Sequence, residues 1–176
     1  MLFNIHWSYY LLFTSLIIAV YTDVTKHKIY NWLTFPTLLL GIIFSFFNST
    51  GIFSSLLGFL FAFGIAIFFY VTGMFKGGDV KLIWGIGAWV GKALILQTLL
   101  WIFISGGLLS IFYTLRDGTF FATMNKVRKF FVAIFVPGMK PQIEVQESIN
   151  KPSAYGVAIA IGTVIAILYP NYFGKW

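Results

Sequence analysis

The chain alternates long apolar runs with short polar breaks. A helix needs about 20 predominantly apolar residues to cross a bilayer. Six runs approach that length, at 7–21, 32–47, 52–71, 80–90, 93–115 and 154–169. The fourth is short and interrupted by Gly85 and Gly87, Gly91 and Lys92 separate it from the fifth, and Pro170 stops the sixth. The pattern predicts an all-α polytopic membrane protein of about six transmembrane helices, one domain over 1–176. The fourth helix is expected to be buried or tilted, because short helices at membrane depth persist when protein surrounds them.

The longest polar stretch, 116–153, separates the last two runs. Within it, 120–136 mixes aromatics with Lys126, Arg128 and Lys129, the pattern of an amphipathic helix lying on a leaflet. Pro137, Gly138 and Pro141 then break the pattern. With the N-terminus outside, the inner loops 22–31, 74–81 and 116–153 hold ten Lys and Arg residues, and only Lys92 and Lys175 fall outside. That asymmetry is what the positive-inside rule demands of six spans with both termini outside, in the cytoplasmic (inner) membrane.

Composition agrees: 59% of residues are hydrophobic and 10% charged, against about 25% charged in soluble domains. The net charge of +7 reads as topogenic lysines and contact with anionic lipid, with no nucleic-acid partner. The absence of cysteine excludes disulfides and thiolate metal sites, and two histidines make a zinc centre improbable; no cofactor is expected. The first run lacks a preceding basic residue and a small-residue cleavage site, so it reads as a retained helix.

Against this background five acidic residues stand out. Asp23 and Asp79 abut apolar runs, and the topology puts both at the cytoplasmic face. A carboxylate at the edge of hydrocarbon costs solvation energy. Two of them on separate helix ends supply the groups for peptide hydrolysis. One, ionised, takes a proton from water; the other, protonated, polarises the scissile carbonyl. Held close, they cannot both ionise and so share a proton. Asp117, Glu144 and Glu147 all lie in the polar loop. Gly77 and Gly78, just before Asp79, permit positive φ or close backbone approach. Each residue also has a plainer reading. Asp79 serves as the N-cap of the helix that follows and Asn31 caps the second helix. Lys26, Lys28 and Lys81 signal topology, and His27 is a solvated loop residue.

Taken together, the motifs narrow the choice. Asp23-x-x-Lys-x-Lys-Ile-x-Asn31, followed about fifty residues later by Gly-Gly-Asp-Val-Lys-Leu82, resembles the type IV prepilin peptidase family of GxGD-class aspartyl proteases. That family pairs an Asp-containing segment ending in Ile-Pro-Asn with a Gly-x-Gly-Asp-x-Lys-Leu segment. The stretch from Lys151 to Ala160, containing Tyr155 and Gly156, is similar to the family's Pro-Tyr-Gly-Val-Ala-Ile-Ala segment. The resemblance implies that Asp23 and Asp79 are catalytic. It implies positioning roles for Lys76, Gly77, Gly78, Asn31, Lys81, Tyr155 and Gly156. Departures are Lys76 for the first glycine, Tyr30 for the proline, and Ser153 and Ala154 inserted after Pro152.

The function so implied is endoproteolytic removal of the basic leader of a prepilin or pseudopilin at the cytoplasmic membrane face. Larger members add a four-cysteine zinc site and an N-methyltransferase activity. This cysteine-free chain resembles the short, peptidase-only branch associated with tight-adherence pili. Asp117, Glu144 and Glu147 are candidates for docking the basic leader. Alternatives are another GxGD protease such as a preflagellin peptidase, a proton or cation transport subunit, and an inactive scaffold of a secretion machine. Transport sites favour the bilayer midplane, which counts against the second of these.

Overall fold

The computed structural model describes residues 7–47, 50–71, 75–116, 118, 125 and 155–170. Among them five helices follow in order: α1 (Tyr9–Lys26), α2 (Asn31–Ser45), α3 (Ile52–Val71), α4 (Gly77–Arg116) and α5 (Tyr155–Leu168). No strand forms among the described residues.

The distribution of side chains inverts that of a soluble bundle. Large apolar groups such as Ile17, Phe53, Phe68 and Leu108 are more than 60% exposed, while Ala62, Ala66 and Ala158 are fully buried. Lipid is as apolar as leucine, so helices associate in it by close approach and interhelical hydrogen bonds. The α3–α4 seam follows that rule. A Cβ on Gly58 would lie 2.7 Å from the Gly91 backbone, and one on Gly87 would lie 2.6 Å from the Ala62 methyl. Beside them the Ser55 hydroxyl donates to the Ala88 carbonyl at 2.7 Å. α4 is the hub, packed against α3, α5 and α2, whereas α1 rests mainly on α5.

α4 is not uniform. Gly91, with φ 68° and ψ −178°, is its one non-helical residue and divides it into arms 77–90 and 92–116. A side chain is excluded there twice over. The positive φ disfavours one, and a Cβ would stand 2.6 Å from the Ser54 hydroxyl and the Thr50 methyl. The first arm is buried from Leu82 to Val90 except at the half-buried Trp84.

The six runs therefore fall on five helices among the described residues. The fourth and fifth runs are the two arms of α4, and two helices among the described residues, α3 and α4, are long and apolar enough to cross a membrane. α2 and α5 have 15 and 14 residues, which at 1.5 Å per residue is about 21–22 Å, short of a hydrocarbon core of about 30 Å. α1 extends past the apolar run to Lys26. The hydroxyls of Thr22 and Thr25 bond back to the Ala19 and Tyr21 carbonyls, which satisfies them within the helix. The amphipathic helix expected over 120–136 lies outside the described residues, Asn125 apart.

Candidate active site

Asp23 lies in the last turn of α1. That helix stops at His27, whose left-handed backbone (φ 50°, ψ 33°) turns its N–H onto the Asp23 carbonyl. The Asp23 side chain points inward and is 2% exposed. Its Oδ2 accepts the Gly156 N–H, from the first turn of α5, at 2.6 Å. A Cβ at Gly156 would sit 2.8 Å from that oxygen, so glycine is what lets the helix end approach the carboxyl. The α5 N-terminus, with its unpaired amides and partial positive charge, suits an anionic partner.

Asp79 is the third residue of α4 and is 3% exposed. Its Oδ2 accepts the Lys76 N–H at 3.0 Å. This is the reach-back half of a capping box, in which the third helical residue bonds the N-cap amide. The simple N-cap expected at Asp79 is thus corrected by one turn: the helix begins at Gly77. The donor is a backbone group, so lysine supplies it as well as the glycine of the family pattern would. In addition the Lys76 charge acts on both carboxyls, and the charge of Asp23 acts on Asp79. The two carboxyls are 56 residues apart in the chain; each is anchored through one oxygen to a backbone amide, and they lie within electrostatic reach of one another.

The glycines before Asp79 behave differently from one another. Neither has positive φ, so of the two uses read from the sequence that one does not apply. Gly77 is exposed, and a Cβ there would meet only a Tyr70 ring atom, 4.0 Å away. At Gly78 a Cβ would stand 2.9 Å from the Ile29 carbonyl oxygen and 3.0 Å from the Ile29 Cβ. The close backbone approach is real, but its partner is the α1–α2 connection.

Tyr155 opens α5, and the charge of Asp79 reaches it. Its ring centroid is 5.0 Å from that of Phe75, and its hydroxyl abuts Gly106. Phe75 in turn stacks at 5.9 Å on Phe103, which is 4.5 Å from Phe69. This aromatic wall beside the carboxyls has no sequence signature, because its members come from three helices and a connection. Asn31 and Lys81 meet on the other flank, with Lys81 Nζ donating to Asn31 Oδ1 at 2.9 Å. Asp117, Glu144 and Glu147 lie outside the described residues. Among the described residues no group of three or more His, Asp or Glu side chains is arranged to hold a metal.

One comparison with known proteins returns a match. The model of the type IV leader peptidase family matches residues 10–111, which is 102 of the 176 and includes both aspartates. No curated protein and no solved structure matches the chain.

Proposed function

Because the chain belongs to the type IV leader peptidase family, we propose that it is an aspartic endopeptidase that removes the basic leader of a prepilin or pseudopilin at the cytoplasmic face of the inner membrane. The observation that carries this reading is the pairing of Asp23 and Asp79. They are two buried carboxyls from different helices, close enough for one charge to act on the other.

In this reading the pair shares one proton. The ionised member takes a proton from water as the water oxygen attacks the scissile carbonyl carbon. The protonated member gives its proton to the carbonyl oxygen, forming a neutral tetrahedral intermediate. Collapse of the intermediate breaks the C–N bond: the amine leaves with the proton of the now-protonated member, while the other carboxylate takes a proton from a hydroxyl of the intermediate, which restores the shared-proton state. The Gly156 and Lys76 amides each bond Oδ2 of one aspartate, and in this reading the Oδ1 atoms face the water and the substrate. The Lys76 cation favours the ionised form of a nearby carboxyl.

The membrane arrangement belongs to the same proposal. α1, α2, α3, the two arms of α4 and α5 supply six passes, with both termini outside and both aspartates at the cytoplasmic face. The ten-to-two distribution of basic residues supports it. The deciding experiment co-expresses the chain with a prepilin and follows leader removal on a gel, with Asp23→Ala and Asp79→Ala as controls. Cleavage that needs both aspartates is the expected result, and cleavage that survives either substitution refutes the dyad.

A further inference from the structure

The α1–α2 connection and the start of α2 hold the first turn of α4 at two points. Gly78 and Lys81 are three residues apart and so share one face of α4. Ile29 covers Gly78, and two residues further on Asn31 accepts the hydrogen bond from Lys81. The Lys81 ammonium also lies 5.4 Å from the Phe35 ring centroid, which confines the long side chain. Asp79 lies between Gly78 and Lys81 in sequence, and its carboxyl bonds the Lys76 amide.

The connection from Asp23 to Asn31 is short and leaves little slack. It consists of the last turn of α1, the left-handed His27, and three residues ending in the extended Tyr30. Where Asn31 is held, the end of α1 follows. A bond from Lys81 to Asn31 thus links the helix bearing Asp79 to the segment bearing Asp23. A directional hydrogen bond fixes a distance, which apolar packing, with no preferred direction, does less sharply.

We propose that Asn31 and Lys81 are a positioning pair: their hydrogen bond sets the separation of the Asp23 and Asp79 carboxyls without touching the substrate. The proposal rests on the peptidase reading for its catalytic consequence, but its structural content stands apart from it. Farther along, the α2–α4 seam is secured by Thr37 against Gly85 and by the Trp89 indole donating to the Thr37 carbonyl at 2.7 Å. An exposed polar contact adds little to folding on top of that. Its loss leaves the helices packed and the dyad loosened.

The test uses the full chain reconstituted with a prepilin, in four variants: Lys81→Met, Asn31→Ala, the double substitution, and Asn31→Asp. Each single loss is expected to lower kcat by roughly tenfold to a hundredfold with KM little changed, the scale of a small misplacement of reacting groups. The double variant should be no worse than either single one, since both remove the same bond. Asn31→Asp, which keeps an oxygen acceptor for Lys81, should recover most of the rate. Amide hydrogen exchange over 75–82 should quicken in Asn31→Ala and Lys81→Met, and this readout does not depend on cleavage. If Lys81→Met fails to fold, Asn31→Ala carries the same test with the lysine in place. Unchanged kcat with unchanged exchange overturns the proposal. So does a rise in KM alone, which would make the two residues substrate contacts, and so do losses that multiply in the double variant. A wild-type protein that cleaves no prepilin would refute the peptidase reading, and the exchange measurement would still judge the pair.

Discussion

At Gly78 one added methyl group separates two ideas about the glycines before Asp79. Gly78→Ala must push against the Ile29 carbonyl and side chain, an overpacking of about 1–3 kcal/mol. Gly77→Ala meets open space. Cleavage assays on the two variants should therefore show a large loss for Gly78→Ala and near-normal turnover for Gly77→Ala. Equal damage would mean that the substrate, and not Ile29, needs the bare backbone. The aspartates give a second prediction at this scale. Asp79→Asn keeps the size and polarity of the side chain but cannot share the proton, so it should be as inactive as Asp79→Ala. The Asp23→Ala, Asp79→Ala double variant should be little worse than either single one, because the pair works as a unit. Lys76→Gly is different: it keeps the backbone donor to Asp79 and removes only a cation. It should retain cleavage within about tenfold of wild type, equivalent to about 1.4 kcal/mol in the barrier.

The helices owe their docking to places where a side chain is missing. α5 reaches Asp23 because residue 156 is glycine, and Gly162 lets it lie against the Ile102 backbone, where a Cβ would come within 2.6 Å of Cα. Gly156→Ala should uncouple the two effects of that docking. Thermal unfolding in detergent should change modestly, since the close approach at Gly162 is untouched, while cleavage should fall severely because the added Cβ pushes against the Asp23 carboxyl and displaces it from the residue-156 amide. The break in α4 answers to a different rule. Gly91→Ala would force a Cβ into a positive-φ position and onto Ser54 and Thr50. A cost of about 1–3 kcal/mol follows, so its melting temperature should drop clearly even though Gly91 lies far along α4 from Asp79.

For the whole molecule the question is which ends of the helices share a side of the membrane. Thr25 is exposed beside Asp23, and Lys92 is exposed just past the break in α4. The chain contains no cysteine, so single Thr25→Cys and Lys92→Cys variants report without background. In intact cells an impermeant thiol reagent should label the cysteine at 92 and leave the one at 25 untouched. The reverse pattern would overturn the proposed orientation, and labelling of both would show that the arm 77–90 does not separate them by a membrane.

The sequence by itself was enough to establish the helical membrane class, the glycine break near residue 91 and the two aspartate motifs. These are local properties: apolar run length, a residue type tolerant of positive φ, and short spacings within a motif. It could not show that Asp79 caps its own helix through Lys76. Nor could it show that Gly78 makes room for Ile29, or that Phe69, Phe75, Phe103 and Tyr155 form a wall beside the carboxyls. Of the two uses read for Gly77 and Gly78, positive φ is absent at both and close approach is found at Gly78; glycine serves either, and the sequence does not say which is needed. Among the described residues the six apolar runs fall on five helices, the fourth and fifth being the two arms of α4 on either side of the non-helical Gly91. The meeting of Asp23 with Gly156 joins residues 133 apart. Only helix packing decides such a contact, since it depends on which faces meet and how closely the backbones approach, and neither distance is written in the order of the residues.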